Sequence, residues 1–212
     1  MEALHIKRLS FGLLGLLTYI YFAIAISSGN TIQFDEKISV GLGRILANSQ
    51  DLLLGVFSAV GATEGFVIIA MVVILWLGLR KKDFLALGVL IFALLSGYLL
   101  NTVLKNWHGR PRPASDHLVE VSSLSFPSGN AMIGLILYSL TAYFILKGLK
   151  SKQKRLLTFA VTIGIIFIYG LSRVALNVHY PSDIAAGYGI GVAWVMIWIH
   201  IYELFSRKAK KI

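Results

Sequence analysis

Apolar runs of about the length of a membrane-crossing helix recur along the whole chain, and short clusters of charge divide them. A helix needs about 20 mostly apolar residues to cross ~30 Å of hydrocarbon. Six runs come close to that length: Leu9–Ile26, about Leu54–Leu79, Phe84–Leu104, Gly129–Leu146, Leu156–Val174 and Asp183–Phe205. Backbone groups in lipid must find their hydrogen bonds inside the segment, so the runs are read as helices. No alternating strand pattern supports a barrel. The expected fold is therefore all-α: a polytopic membrane protein of six transmembrane helices, one domain over residues 1–212. Between the first two runs, Phe34–Asp51 mixes apolar residues with Asp35, Glu36, Lys37 and Arg44. It is expected to be an extracytoplasmic interfacial amphipathic helix. Lys7 and Arg8 ahead of the first run, and Ala23-Ile24-Ala25 near its end, would also suit a secretory signal. An uncleaved first span is the expectation.

Composition removes several function classes. Charged residues make up 14% of the chain and hydrophobic ones 57%, whereas a soluble domain carries about 25% charged residues. A water-soluble globule and a disordered chain are both excluded. There is no cysteine, so disulfides and thiolate ligands are excluded too. The net charge of +10 would suit nucleic acid only if the cations shared a soluble face. They do not. Lys7 and Arg8; Arg80, Lys81 and Lys82; Lys147, Lys150, Lys152, Lys154 and Arg155; and Arg207, Lys208, Lys210 and Lys211 account for 14 of the 20. With six spans these segments fall on one side, which the positive-inside rule makes cytoplasmic, with both termini inside. Lys37, Arg44, Lys105, Arg110, Arg112 and Arg173 are left outside, where the rule gives no reason for them.

Four of those six belong to two of three polar segments on that outer face. The first is KNWHGRPRP, Lys105–Pro113, where Gly109, Pro111 and Pro113 end a helix. Alone it reads as a basic membrane-edge loop with Trp107 as anchor. The second is SFPSGN, Ser125–Asn130, opening the fourth span. Its free N–H groups and positive dipole end suit an anion, although Ser128 alone reads as an ordinary cap. The third is SRVALNVHYPSD, Ser172–Asp183. There the four-residue spacing lets Asp183 orient His179, although each alone is a cap and a loop residue. Together, Lys105, Arg112, Arg173, Ser128, a helix N-terminus and a carboxylate-supported His179 describe a phosphate cradle beside a nucleophile. The acidic residues offer no cluster for a divalent metal, so no cofactor is expected and the cations take the metal's electrostatic role.

These segments resemble the three-part signature of the type 2 phosphatidic acid phosphatase superfamily, the lipid phosphate phosphatases. That signature is Lys-x6-Arg-Pro, Pro-Ser-Gly-His and Ser-Arg-x5-His-x3-Asp. Lys105-x6-Arg112-Pro113 and Ser172-Arg173-x5-His179-x3-Asp183 match it fully, and the likeness runs from about residue 54 to 205. It implies that Lys105, Arg112, Ser128, Gly129 and Arg173 hold phosphate, that His179 is the nucleophile, and that Asp183 orients it. It implies metal-independent hydrolysis of a lipid phosphate monoester, such as phosphatidylglycerophosphate, through a phosphohistidine. An undecaprenyl pyrophosphate is the alternative substrate. His108 and Arg110 lie within the first segment but outside its defining positions, and His5, His117 and His200 are read as loop or interface residues.

The sequence departs from the signature at Asn130, where the resemblance places the histidine that protonates the leaving oxygen. An amide hydrogen-bonds but cannot deliver a proton near neutral pH. Asn130 therefore reads as an inactivating change in an active enzyme, engineered or natural, with a non-catalytic phospholipid binder as the other reading. A transporter would place ionisable groups at midplane depth. Apart from Glu64, near one end of its span, and His200, the helix interiors lack them. The expected partners are a lipid phosphate and the bilayer, not nucleic acid, with the oligomeric state left open.

Overall fold

A computed structural model describes residues 2–46, 63–113 and 123–209, all of them helix or connecting loop. The helices are α1 (Glu2–Ser27), α2 (Ile32–Leu46), α3 (Thr63–Leu75, continued by a π-helical turn over Trp76–Lys81), α4 (Phe84–His108), α5 (Gly129–Gly148), α6 (Lys152–Ala175) and α7 (Pro181–Ala209). Five stretches are long and apolar enough to cross a membrane: Ile6–Ser27, Phe84–His108, Gly129–Gly148, Lys152–Ala175 and Pro181–Lys208. The second expected span, Leu54–Leu79, is described only from residue 63 onward, and its earlier part lies outside the described residues. The expected interfacial helix begins at Ile32, two residues early, and residues 47–51 of it lie outside the described residues.

Helix α7 is the axis of the bundle, with α1, α4 and α5 packed along it. The core joins Leu90 and Ala93 of α4, Met132 and Ile136 of α5, and Ile190 and Val195 of α7. The outer faces stay apolar: Leu13, Leu17 and Ile24 of α1 and Leu156, Phe159 and Phe167 of α6 are all exposed. In water such a surface would aggregate; against acyl chains it is the appropriate one.

Lipid gives helices no hydrophobic reason to associate, so close packing and polar contacts must hold them. Gly15 and Gly189 supply the closest approach. A Cβ on Gly15 would stand 2.5 Å from the Gly189 carbonyl oxygen, and one on Gly189 would stand 2.7 Å from that of Gly15. At the end of the bundle away from Asp183, polar ties join four helices. Glu203 of α7 accepts from Arg8 of α1 and Tyr143 of α5 at 2.5 and 2.9 Å. Tyr202 donates to Asp83, the cap of α4, at 3.0 Å and accepts from Lys147.

Gly15→Ala should therefore destabilise the bundle by about 1–3 kcal/mol, the usual cost of overpacking, seen as a lower melting temperature in detergent. Gly164→Ala, with nothing within 4 Å of its Cβ, should not. Equal melting of the two variants would contradict the α1–α7 contact.

Candidate active site

Helix α4 delivers the first segment. It runs to His108, four residues past the expected boundary, so Lys105 sits on its last turn. Gly109 ends it in the left-handed region (φ 62°), its N–H bonded to the Lys105 carbonyl at 2.9 Å. The chain beyond is tied to the second segment: Ser125 N–H donates to the Arg110 carbonyl at 2.9 Å. Lys105 donates to the Leu124 carbonyl at 2.6 Å and to Ser123 Oγ at 3.1 Å. Arg112 donates to the Ser123 carbonyl at 2.7 Å and the Val178 carbonyl at 2.5 Å. Both cations are thus pre-set by backbone oxygens.

The second segment starts α5. Ser128 is its N-cap, with Oγ accepting from Ala131 N–H at 3.3 Å. Its own N–H donates to the Asp183 carbonyl at 3.1 Å. The N–H groups of Gly129 and Asn130 have no acceptor among the described residues, as the first turn of a helix requires. Glycine is needed at 129 because a Cβ there would stand 2.8 Å from Asn101 Oδ1. Asn101 is itself buried and donates to the Pro127 carbonyl at 3.2 Å. Asn130, half-buried, follows on the first turn.

The third segment closes α6. The Arg173 carbonyl accepts from Val178 and His179 N–H groups, at 3.1 and 3.3 Å, around Asn177 at φ 57°. That turn brings His179 back over the site. Arg173 is 5% exposed and close enough for its charge to act on Arg112.

His179 and Asp183 meet where these segments converge, at 4% and 0% exposure. His179 Nδ1 is 3.5 Å from Asp183 Oδ2 and also 3.5 Å from Ser125 Oγ, while Nε2 is 3.4 Å from Arg112 Nη1. An ionised carboxylate only accepts, so it places the imidazole proton on Nδ1 and leaves Nε2 without a proton, its lone pair toward Arg112 Nη1. Burial, opposed by Asp183 and reinforced by Arg112 and Lys105, pushes the His179 pKa down to about 4. A neutral imidazole with an unprotonated Nε2 is what a nucleophile requires. Arg112 is also lowered by burial, against the pull of Asp183.

The three segments that converge here carry Lys105 and Arg112, then Ser128, Gly129 and Asn130, then Arg173, His179 and Asp183. The site also holds residues to which the sequence reading gave no role. Arg110 Nη1 donates to Asp183 Oδ1 at 2.6 Å and Nη2 to Asp35 Oδ2 at 2.8 Å. Ser125 donates to Asp183 Oδ2, and Ser182 joins the same network. The available signal for Arg110 was a cation on the face where the positive-inside rule expects none. Asp35, one of ten acidic residues, gave no such signal. Of the other histidines, His108 bonds Tyr19 Oη at 3.0 Å and packs edge-on against Phe126 at 4.8 Å, and His200 lines a groove of about 400 Å³ between α1 and α7. His117 lies outside the described residues.

A family model described as the PAP2 superfamily matches residues 86–207. The chain belongs to that superfamily. It is 32% identical over 199 residues to phosphatidylglycerophosphatase B of Bacillus subtilis, covering 92% of this chain and 94% of the relative. Decaprenylphosphoryl-5-phosphoribose phosphatase of Mycobacterium tuberculosis is 32% identical over 133 residues, 60% of this chain and 66% of that one. The crystal structure of a transmembrane PAP2 type phosphatidylglycerolphosphate phosphatase from Bacillus subtilis superposes with a TM-score of 0.81 at 26% identity. It covers 91% of this chain and 96% of that one. Membership and these relatives support a phosphatase acting on phosphate esters, and the five long apolar helices make it a multi-pass membrane protein.

A direct consequence is testable by the ¹⁵N shifts of labelled histidine. His179 should stay neutral from pH 7 down to about 5 and gain its proton only near pH 4. An unfolded histidine takes up a proton near 6.5. The folded chain thus binds fewer protons between those values. Stability from this residue is then fully present above about pH 6.5 and is lost as pH falls toward 4. Titration of His179 near 6.5 in the folded protein would overturn this.

Proposed function

We propose that this chain hydrolyses a lipid phosphate monoester, such as phosphatidylglycerophosphate, through a phosphohistidine on His179, and that Asn130 slows it. The observation that carries the reading is the buried imidazole, with Nδ1 turned to Asp183 and Nε2 beside Arg112. Lys105, Arg112, Arg173 and the N–H groups of Gly129 and Asn130 hold the phosphoryl oxygens. His179 Nε2 attacks phosphorus as the P–O ester bond breaks, and the leaving alkoxide takes its proton from solvent water, since Asn130 has none to give. Asp183 stabilises the imidazolium character that develops. Water then attacks phosphorus, the N–P bond breaks with its electron pair returning to Nε2, and inorganic phosphate leaves. Both named relatives are phosphatases of lipid-linked phosphates by their titles, which supports the substrate class.

Asn130 favours a second substrate for this chain, a lipid pyrophosphate. Its leaving group is a phosphate monoester whose second pKa is about 6, so it departs with little help, unlike an alkoxide. General acid catalysis is worth ~10²–10⁴ in rate. Asn130→His should therefore raise single-turnover hydrolysis of phosphatidylglycerophosphate by about that factor, and hydrolysis of a polyprenyl pyrophosphate much less. His179→Ala should abolish both. Equal gains on the two substrates would mean that residue 130 acts by positioning; near-normal turnover in His179→Ala would reject the covalent route.

The reading includes six spans, both termini in the cytoplasm and the site at the outer face. The warrant is the distribution of 14 cations across one set of connecting segments. The chain has no cysteine, and Trp107 beside the site is 82% exposed. Trp107→Cys should react with a membrane-impermeant maleimide in intact cells. Labelling only after permeabilisation would reverse the topology.

A further inference from the structure

Unlike Lys105 and Arg112, which bond backbone oxygens, Arg110 bonds carboxylates. Its Nη1 reaches Asp183 Oδ1 and Ser182 Oγ at 2.6 and 2.8 Å, and its Nη2 reaches Asp35 Oδ2 at 2.8 Å. The guanidinium also lies 4.0 Å over the Tyr180 ring. Asp35, on α2, is 4% exposed. It accepts from Ser182 N–H through Oδ1 and from Ser182 Oγ through Oδ2, each at 2.8 Å, so it also fixes the first turn of α7. We infer that Asp35 and Arg110 form a positioning pair for Asp183, and through it for His179, making α2 part of the reaction apparatus. The inference rests on reading His179 as the nucleophile.

The geometry of Asp183 explains why such a pair is needed. Its Oδ2 takes Ser125 Oγ and Tyr180 N–H, the latter at 2.9 Å, and faces His179. Its Oδ1 is held by Arg110. Released from Arg110, the carboxylate would be held at Oδ2 alone, by Ser125 and the Tyr180 N–H, and its plane could swing about that oxygen while Oδ2 still faces Nδ1. A planar fork aims separate N–H groups at the two carboxylates and so fixes their orientation, whereas a lysine would supply the charge without that geometry. Asp35 keeps the fork from being left half-paired in a buried place, which would be costly.

A pin that only braces the fold would lower stability and nothing else. A positioning pair also changes the field at the imidazole. The charges that act on His179 are Asp183 from α7, Lys105 from α4 and Arg112 from the loop after it, with Ser125 Oγ 3.5 Å from Nδ1 and Arg110 reaching it through Asp183. Arg110 draws on the Asp183 charge from the side away from the imidazole. Removing that cation leaves Asp183 to support the imidazolium more fully, so His179 should bind its proton more readily. Removing the Asp35 charge leaves the cation less compensated, so His179 should bind it less readily. The two changes act in opposite directions.

The test uses the full chain, ¹⁵N-histidine labelled, in lipid nanodiscs, with the His179 signal assigned by its loss in His179→Ala. Arg110→Gln should move the His179 titration up by about one pH unit, and Arg110→Lys should return it toward the parent. Asp35→Asn should leave less imidazolium at pH 4 than the parent has. Glu36→Gln, which removes the same charge from the exposed face of α2, should change nothing. In the Asn130→His background, Arg110→Gln should lower kcat by up to about 10²-fold, the cost of a small misplacement, with KM little changed. Unmoved titrations in variants that melt like the parent, or shifts of the same sign, overturn the pair. Should Arg110→Gln fail to fold, the isosteric Asp35→Asn decides by its sign. Full turnover in His179→Ala would overturn the nucleophile reading instead, and with it the catalytic sense of the pair, while the titrations still report the contact.

Discussion

A carboxylate with no exposure to water must have every lone pair accounted for, and in this protein that obligation falls on Asp183. Its side chain accepts from Arg110, Ser125 and the Tyr180 N–H, and its carbonyl accepts from Ser128 N–H. Those donors come from the loop after α4, the loop before α5 and the loop before α7. Meeting the needs of one residue therefore brings the three polar segments together. Lys105, Arg112, Arg173 and His179 are carried into place by the chain on either side of these bonds.

The remainder of the bundle is compatible with such local control because its helices have few other reasons for a particular arrangement. Lipid is as apolar as the faces it covers. Register along α1 and α7 comes from the Gly15–Gly189 approach, and register at the far end comes from the Arg8–Glu203 and Tyr202–Asp83 ties. Glycine acts again beside the site, where a Cβ on Gly187 would stand 2.7 Å from the Ser128 carbonyl oxygen. The start of α5 can settle against α7 only because that position is bare.

Five of the six expected spans were legible because hydropathy and backbone satisfaction in lipid favour helices there. Helix ends were less so. Lys152, Lys154 and Arg155 are helical although a hydropathy reading stops at Leu156, since long basic side chains can reach water from a helix that continues beneath them. The three segments that converge on Asp183 were legible because their polar residue types and spacing stand out between apolar runs. Asp35 was not. It lies 147 residues from Ser182, and no periodicity within Ile32–Leu46 distinguishes a carboxylate turned to the protein from one turned to water. Arg110 was visible as a cation out of place, but its partners could be identified only once α2 and α7 were side by side. Long-range pairing of this kind is a property of the fold and not of any window of sequence.

The cations and the histidine are usually described as separate parts of a phosphoryl-transfer site, but here their electrostatics are one. Lys105 and Arg112 help keep His179 unprotonated, so in the empty site they preserve the lone pair on Nε2. In the proposed reaction an arriving phosphate brings negative charge to those same cations. Their effect on the imidazole is then offset, and the positive charge that attack on phosphorus creates on His179 is no longer opposed. Asp183, already oriented, can stabilise it. In that reading the cations suppress proton uptake by the imidazole and, once offset by phosphate, no longer oppose the equivalent charge. This division of labour depends on Asp183 holding its aim throughout, and burial alone does not supply that. It requires donors on both carboxylate oxygens, which is the arrangement that Ser125, Tyr180 and Arg110 provide.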